Sequence, residues 1–551
     1  MTSILRGALV AFVLALIAPT AAMADTICPR ATAGAEVPVP PELSSTNNVL
    51  EVSFDYLTTV DDLGRTLFCF KTPDGKESPT LRVHPGDTIV MHVTDKIPAP
   101  PLGAAEKMSN ASTQCGAAVM TDASVNLHFH GLNISPKCHS DETIHTLINS
   151  GETFTYKLKI PDNEPPGLYW YHPHVHGIAS SAVQGGASGL IVVEGIENVQ
   201  PAVGGLAERL ITIRDQQLGK PDVVTNRDAP FWDVSVNYVP VDYPDYNASV
   251  VRMKAGTSEF WRVANSTANT ILDLKLLYDG VPQPIQIVGF DGVPTGSQNG
   301  TRQGTIVTQK DILLPTAGRV EFIVPAPPPT VKKAVLITET IKGGPASDSN
   351  PHRPLIRIRT VPTVSSNLHI IPKRNNAPTQ QRFEDLAQVP VTAKRKLYFI
   401  EIPSIRKPPD MSLAHKPAIT PAADPVTFYI AVEGKPLRAF DANEPPQIET
   451  TKGAVEEWVI QNRTAEVHEF HMHQIHFLVT AINGVPIPED QQQWYDTHQV
   501  GFWRGKGPYP SITVKMDFRG AVVGDFLYHC HILDHEDGGM MAIIRVNPKP
   551  S

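Results

Sequence analysis

The chain has 551 residues, of which 41% are hydrophobic and 19% charged, a balance typical of a soluble globular protein. Its net charge of −9 at pH 7 disfavours nucleic acid and anionic membrane surfaces as partners. The length predicts two to four domains, and the 51 prolines and 38 glycines argue against long helices.

The N-terminus has the three parts of an export signal. Arg6 supplies a positive charge, residues 8–17 form a short apolar run, and Ala22-Met-Ala24 is a small-residue cleavage site. We therefore expect removal of a signal peptide at 1–24, a mature chain that begins near Asp25, and a periplasmic or secreted protein. The apolar run is too short to span a bilayer and no later stretch offers a span, so we expect no stable membrane insertion. We also expect a monomer.

The cysteine count fits an exported protein. Four of the five cysteines could form two disulfides in an oxidising compartment, and Cys530, which lies between two histidines, is the candidate for metal binding. Four cysteines allow three pairings. We favour Cys28–Cys69 and Cys115–Cys138, because the second pair flanks one strand and its adjoining loops. Free buried thiols are the alternative.

A repeated pattern of Gly, Trp, Asn and Thr occurs twice with identical spacing. The copies are Gly256, Trp261, Asn265 and Thr267, and Gly453, Trp458, Asn462 and Thr464, and a weaker copy begins at Gly86. The copies begin 170 and 197 residues apart, which is the spacing of domains rather than of a solenoid.

Short runs rich in β-branched residues surround these copies, for example Thr88–Val93 and Leu397–Ile402. Glycine, proline, asparagine and aspartate separate the runs, and helical periodicity is scarce. We predict an all-β chain of three Greek-key β-sandwich domains at about 40–197, 198–365 and 390–548. The stretch 362–388 is rich in Pro, Asn and Ser and is predicted to be a linker.

Ten of the 20 histidines fall into four short clusters. The clusters are His128-Phe-His130, His172-Pro-His174, His468-Glu-Phe-His471-Met-His473, and His529-Cys530-His531 followed by His535 and Met540. Imidazole nitrogen and thiolate sulfur are ligands that copper prefers. The clusters therefore predict copper binding.

Strand geometry divides these ligands into two sites. Residues i and i+2 of a strand face the same side, so the four His-x-His pairs direct eight imidazoles at one place, enough for three copper ions. The middle copy of the repeat carries no histidine cluster, so the second domain is interpreted as a spacer and the eight imidazoles should meet between domains one and three. Cys530 faces the other way, where it can meet His468, His535 and Met540. Two histidines, a thiolate and a weak thioether are typical of a blue-copper electron-transfer site.

These four motifs resemble the copper-binding motifs of the multicopper oxidase family over about residues 45–548. The resemblance implies three cupredoxin-like domains and four copper ions, namely one type 1, one type 2 and a type 3 pair. It assigns His128 and His471 to type 2; His130, His172, His174, His473, His529 and His531 to type 3; and His468, Cys530, His535 and axial Met540 to type 1. The chain departs from the commonest motifs at Phe129, Glu469 and Gln474, where Trp, Pro and Gly are frequent.

Two carboxylates are candidates for proton supply, because making water consumes four protons. Asp141 lies eleven residues after His130 and resembles the family's aspartate near the type 2 copper, with a two-residue insertion. Glu536 directly follows His535 and resembles the acidic residue that relays protons to the type 3 site. The alternative is that both are ordinary hydrogen-bonded loop carboxylates.

The resemblance implies a laccase-like oxidase that takes single electrons from phenols or aromatic amines and passes four to dioxygen. A metallo-oxidase of Fe(II), Cu(I) or Mn(II) is the alternative enzyme. It would need carboxylates or methionines near His468 and His535, and Asp496 and Glu489, in a neighbouring loop, are candidates. A non-catalytic copper-binding protein is disfavoured by the complete ligand set. A copper nitrite reductase is disfavoured because that chemistry needs one type 2 copper rather than eight cluster histidines.

Overall fold

The computed structural model describes residues 27–99, 115–116, 119–219, 229–297, 304–364, 368–373, 382–383, 386–403 and 426–549. It is 45% strand and 5% helix, and this confirms the predicted all-β fold class. The predicted signal peptide, 1–24, lies outside the described residues. No helix among the described residues is long and apolar enough to cross a membrane.

The first region of the described chain contains nine strands. They are β1 (Glu42–Ser44), β2 (Val49–Val60), β3 (Thr66–Lys71), β4 (Thr80–Val83), β5 (Thr88–Asp95), β6 (His128–His130), β7 (Thr153–Lys159), β8 (Gly167–His172) and β9 (Gly189–Val193). They form a five-stranded sheet in the order β1-β4-β9-β8-β6 and a four-stranded sheet in the order β3-β2-β5-β7.

The middle region of the described chain contains fourteen strands. They are β10 (Ala207–Gln216), β11 (Asp233–Val236), β12 (Val239–Val241), β13 (Ser249–Lys254), β14 (Ser258–Asn265), β15 (Leu272–Tyr278), β16 (Val281–Pro282), β17 (Ile285–Phe290), β18 (Val293–Pro294), β19 (Val307–Gln309), β20 (Ile312–Leu314), β21 (Arg319–Pro325), β22 (Ala334–Thr338) and β23 (Arg353–Val361). One sheet has the order β12-β11-β10-β14-β21-β17-β18 with β19 beside β17, and the other has the order β13-β23-β22-β15-β16 with β20 beside β15.

The third region, in its described part, contains twelve strands. They are β24 (Ala393–Pro403), β25 (Val426–Val432), β26 (Ile448–Thr451), β27 (Val455–Asn462), β28 (His468–Met472), β29 (Phe477–Ile482), β30 (Val485–Pro486), β31 (Trp494–Tyr495), β32 (Thr497–Val500), β33 (Ser511–Asp517), β34 (Gly524–Cys530) and β35 (Met541–Asn547). One sheet has the order β25-β24-β27-β33-β29-β30 with β31 beside β29, and the other has the order β26-β35-β34-β28-β32.

Each region encloses one large hydrophobic core between its two sheets. In the first region β5 alternates between buried and half-buried residues, because successive side chains of a strand point to opposite faces. The inward side contributes residues such as Ile89, Met91 and Val93. The domain limits that were inferred from the sequence remain predictions.

The sequence repeat has a common place in the three regions. The repeat strands β5, β14 and β27 each lie between one parallel and one antiparallel neighbour of their sheet. The repeated tryptophans are buried, and each indole N–H donates to a glutamate two residues earlier, from Trp261 to Glu259 and from Trp458 to Glu456. The repeat therefore reflects one strand environment built more than once.

Helices are few and short in the described chain. The α-helices are α1 (Ala179–Gln184), α2 (Ile196–Val199) and α3 (Leu533–Asp537), and 3-10 turns occur at Pro201–Val203, Leu386–Gln388 and Glu489–Gln491. Helix α3 begins three residues after β34 ends. The chain therefore turns back at this helix and brings His535 close to Cys530.

The cysteine pairing agrees with the favoured prediction. Disulfides join Cys28 to Cys69 and Cys115 to Cys138, and Cys530 is a buried free thiol. Part of the predicted linker is anchored, because Phe383 stacks on Trp494 with ring centroids 3.8 Å apart and Leu386 is buried in the same hydrophobic cluster.

Candidate metal centre

Strand register brings the histidine pairs face to face. On neighbouring strands of the first region, His128 of β6 lies directly opposite His172 of β8. In the third region, His471 of β28 lies directly opposite His529 of β34. All eight histidines of the four His-x-His pairs are at most 1% exposed. The shared face that strand parity predicted is thus built at a buried contact between the first and third regions.

The eight imidazoles fall into groups that mix the two regions. The ligand nitrogens of His130, His172 and His531 lie within 4.8 Å of one another. Those of His174, His473 and His529 also do. In the second trio, Nε2 of His529 is 3.2 Å from Nε2 of both partners.

The remaining two histidines stack against the two trios. The ring of His128 stacks on His473 with centroids 3.8 Å apart, and that of His471 stacks on His130 at 4.0 Å. Each of these stacks joins a ring of the first region to a ring of the third. Neither region by itself can assemble the cluster.

The imidazoles have oriented rings and unpartnered nitrogen atoms that could bind cations. Several have one ring nitrogen fixed by an outer acceptor, for instance Nδ1 of His172 by the Pro173 carbonyl at 2.9 Å and Nδ1 of His471 by the Asp496 carbonyl at 2.8 Å. Within the described residues, the buried cluster nitrogens without a hydrogen-bond partner are His128 Nε2, His130 Nδ1, His172 Nε2, His174 Nδ1, His471 Nε2, His473 Nδ1 and His531 Nε2. Buried polar atoms are rarely left unpaired, so such a concentration indicates a cation-binding site.

Burial also sets the protonation state of these rings, because it disfavours the imidazolium form. It lowers the pKa well below the usual value for His128, His130, His172, His471, His473 and His531, and to about 3 for His529. Neutral imidazole keeps a lone pair for a metal. The donor set fits borderline-soft ions such as copper.

Cys530 belongs to a second group within the third region. Its Sγ is 3.6 Å from Nδ1 of His468 and 3.8 Å from Nδ1 of His535, and these two nitrogens are 3.0 Å apart. Met540 is fully buried in the same hydrophobic core, and its carbonyl accepts the Cys530 N–H at 3.0 Å. Burial raises the pKa of the Cys530 thiol, so thiolate formation here depends on a bound cation.

The two candidate proton donors contact different histidines. Asp141 is buried, contacts Nδ1 of His128 at 3.0 Å and accepts the Phe129 N–H at 3.0 Å. Burial raises the pKa of Asp141 to about 7 despite this N–H. Glu536 is also buried, and its carboxylate lies within ion-pair distance of Nδ1 of His176, at 3.8 Å.

Asp496 does not lie where the metallo-oxidase alternative needed it. It is buried at the histidine cluster, 3.0 Å from Nε2 of His130, and its carboxylate pairs with the buried Arg319 of the middle region. Asp291 supports the pair by accepting the backbone N–H groups of Arg319 and Asp496. A carboxylate carries no motif of its own, so sequence alone could not place it.

Two other glutamates occupy the edge of the Cys530 group, and sequence analysis missed both. Nε2 of His468 is 3.1 Å from Glu401, and Nε2 of His535 is 3.4 Å from Glu466. Burial and the neighbouring Glu401 carboxylate raise the pKa of Glu466 to about 9. The only sequence signal was that Glu466 lies two residues before His468, a spacing that would place both side chains on one face of an extended chain.

A cleft opens beside this edge. A small pocket lined by His535 and Glu466 shares its wall, around 341–350, with a larger cavity of about 800 Å³. Tyr243, Tyr246 and Phe502 line the larger cavity. His535, with its side chain 11% exposed, is thus a residue of the Cys530 group that faces an accessible space.

Comparisons with known proteins agree with this geometry. Two family models, both described as "Multicopper oxidase", match residues 89–198 and 412–550. The chain is 22% identical to "Multicopper oxidase mco" of Staphylococcus haemolyticus (strain JCSC1435) over 441 residues, which cover 77% of each chain.

Solved structures of similar fold cover nearly the whole chain. A Campylobacter jejuni protein described as "Multicopper oxidase from Campylobacter jejuni: a metallo-oxidase" has a TM-score of 0.62 and 19% identity, and covers 94% of this chain and 96% of its own. A "Bacterial Laccase-like Multi-copper Oxidase CueO" from Ochrobactrum sp. has a TM-score of 0.60 and 20% identity, and covers 93% of this chain and 100% of its own.

Proposed function

This chain belongs to the multicopper oxidase family and is therefore an oxidoreductase, and we propose that it couples one-electron oxidation of a reducing substrate to four-electron reduction of dioxygen to water. Membership implies bound copper. The observation that carries the proposal is the buried cluster of eight imidazoles, joined through Cys530 to a separate group of one cysteine and two histidines.

We assign four copper ions to these residues. The two trios would hold the type 3 pair, namely His130, His172 and His531, and His174, His473 and His529. His128 and His471 would hold the type 2 ion, and His468, Cys530, His535 and Met540 the type 1 ion. Bound copper would supply the single-electron acceptor at Cys530 and the four-electron donor to dioxygen at the histidine cluster.

The polypeptide connects the two sites directly. Cys530 is covalently flanked by His529 and His531, which belong to different trios. This is the shortest peptide path by which a thiolate and a cluster imidazole can be linked. The same arrangement keeps the substrate at the cleft and away from the buried cluster.

The chain's own carboxyl groups would handle the protons of water formation. Asp141 touches His128, and its pKa of about 7 suits a group that gains and releases a proton near neutrality. Glu536 lies beside His176, whose side chain is 37% exposed and so reaches solvent. We propose that Asp141 serves the type 2 side and Glu536 the type 3 side.

Phenols or aromatic amines are the proposed donors. The larger cavity, which shares the wall around 341–350 with the small pocket at His535, has aromatic walls at Tyr243, Tyr246 and Phe502, against which a planar ring can pack. The similar Ochrobactrum protein is described as laccase-like. An aromatic donor could thus come close to an exposed edge of a type 1 ligand.

A metallo-oxidase is the second candidate, favoured by Glu401 and Glu466. Their carboxyl oxygens lie within 3.1 and 3.4 Å of the outer nitrogens of His468 and His535, where a metal cation could dock. The similar Campylobacter jejuni protein is described as a metallo-oxidase. This pair replaces Asp496 as the basis for that alternative.

The test is copper analysis and oxygen uptake on the copper-loaded protein. We expect four coppers per chain and oxygen consumption with a panel of phenols, aromatic amines, ascorbate, Fe(II) and Cu(I). A protein that holds four coppers but consumes no oxygen with any donor would be a copper-binding scaffold, and the proposal would be wrong.

A pair of variants separates the two donor classes. Glu466→Gln should raise the KM for Fe(II) or Cu(I) by about tenfold if a cation docks there, and leave the KM for phenols within about twofold. Asp490→Asn, the same acid-to-amide change in an exposed turn, is the control. Equal effects of Glu466→Gln on both donor classes would remove the reason for the metallo-oxidase candidate.

We further propose that the protein acts outside the cytoplasm as a monomer. The two disulfides are compatible with an oxidising compartment. N-terminal sequencing of the exported protein should begin near Asp25.

A further inference from the structure

Glu469 lies at the position where similar motifs often carry proline. It follows His468 in β28, is fully buried, and donates its backbone N–H to Sγ of Cys530 with an N···S distance of 3.4 Å. Proline has no N–H and could not make this bond. The departure from the common motif therefore adds a donor to the proposed copper-binding sulfur.

The strand directs both backbone groups of Glu469 at the same segment. Its carbonyl accepts the N–H of His531 at 2.9 Å. Glu469 pairs across the sheet with Gln499 of β32, while the next residue pairs with Cys530 of β34. Glu469 thus contacts the thiol and the neighbouring cluster histidine at once.

The side chain ties this strand to the middle region. The Glu469 carboxyl group accepts the Thr316 N–H at 3.0 and 3.1 Å and is hydrogen-bonded to the Thr316 hydroxyl. The same hydroxyl lies 2.6 Å from the His531 carbonyl. Thr316 stands in the turn between β20 and β21 and is fully buried, so these contacts are shielded from water.

We propose that Glu469 is a positioning residue that raises the reduction potential of copper held at Cys530, and that Thr316 of the middle region fixes it for this task. A hydrogen bond draws electron density from the thiolate, which then stabilises the oxidised ion less. The inference rests on the proposed function, because it requires type 1 copper at this group. A higher potential would widen the range of donors that this copper can oxidise.

The experiment measures the ratio of oxidised to reduced type 1 copper at a fixed ambient potential, from the blue absorption of the copper-loaded full-length protein. Glu469→Pro should shift this ratio about tenfold towards the oxidised form, which equals a potential lower by about 59 mV. Glu469→Gln keeps the N–H and should stay within about twofold of the parent. A Glu469→Pro variant that keeps the parent's ratio overturns the inference.

A second variant covers the case in which Glu469→Pro does not fold. Thr316→Val removes the hydroxyl that holds the Glu469 carboxyl and should shift the ratio about threefold in the same direction, roughly 28 mV. Thr295→Val is the matched control, since the hydroxyl of this buried threonine of the middle region bonds to the local carbonyls of Ile287 and Thr305. Equal ratios for Thr316→Val and Thr295→Val overturn the inference.

The proposed function fails in a different way. A parent protein that shows no blue absorption after copper loading would refute the type 1 site, and this inference with it. A blue parent whose variants do not shift refutes the role of Glu469 alone.

Discussion

The histidine cluster and the Cys530 group use similar ligands but differ in how the chain builds them. The cluster needs four strands from two regions, whereas His468, Cys530, His535 and Met540 all come from the third region. The cluster is sealed at an interface, whereas the Cys530 group lies beside a cleft. The proposed oxygen chemistry would thus depend on how the regions dock, whereas the proposed electron entry would depend on the third region alone.

The middle region contacts the two sites through different residues. It provides none of the proposed ligands, yet one of its turns reaches both sites. Thr316 contacts Glu469 beside Cys530, and Arg319 pairs with Asp496 beside His130. The region predicted to be a spacer therefore also supplies contacts that orient ligand-bearing strands.

Cys530→Ser should have the largest effect, because it should abolish the type 1 site and leave the histidine cluster in place. Without the thiolate the type 1 ion and its blue absorption are lost, because sulfur is the ligand that defines such a site. We expect three coppers per chain and oxygen uptake below detection with every donor. Retention of blue absorption, or loss of all four coppers, would contradict independent assembly of the two sites.

Asp496→Asn should damage the cluster and spare the Cys530 group. It leaves the buried Arg319 with Asp291 as its remaining anionic neighbour at 3.6 Å, and breaking a buried ion pair costs about 3 kcal/mol. Urea unfolding of the copper-free protein measures this loss. Adding Arg319→Gln should restore part of it, and an unchanged free energy of unfolding in Asp496→Asn would show that the pair contributes little.

Asp141→Asn and Glu536→Gln should slow oxygen reduction without removing copper. General acid groups contribute on the order of a hundredfold to such rates. We expect oxygen uptake to fall about 10- to 100-fold while all four coppers and the blue absorption remain. If both variants keep the parent's rate, the proton-supply role is wrong.

The copper-free protein should lose stability as pH rises towards 7, partly because of Asp141. Its folded-state pKa, about 7, exceeds the usual carboxyl value of about 4, so folding favours the protonated form and its contribution is lost between these values. The slope from one group is at most about 1.4 kcal/mol per pH unit. Urea unfolding at several pH values should show a shallower slope for Asp141→Asn than for the parent.

Local patterns made much of this protein predictable. The His-x-His spacing predicted a shared face because side-chain direction in a strand alternates with period two, and β6, β28 and β34 follow that rule. The repeated Trp and Asn predicted equivalent strands. Asp141 and Glu536 were proposed from their distance to a motif, and the structure places Asp141 beside His128 and Glu536 beside His176.

Residues that meet a ligand only through contacts distant in sequence could not be predicted in this way. Glu401 is 67 residues from His468, and Asp496 is 366 residues from His130. Neither carboxylate has a spacing that distinguishes it from a solvated surface group. Asp496 was only a candidate for the edge of the Cys530 group, and it lies beside His130 instead, where it pairs with Arg319 of another region.

The sequence by itself determined the fold class, and it predicted a copper-type ligand set and its division between two faces, since these follow from residue chemistry and strand periodicity. Only the tertiary structure decided which imidazoles group together, which carboxylates fix them, and how Thr316 and Arg319 reach both sites. The reason is physical: ligand identity and strand parity are local properties, whereas desolvated hydrogen bonds and ion pairs exist only after distant strands have docked.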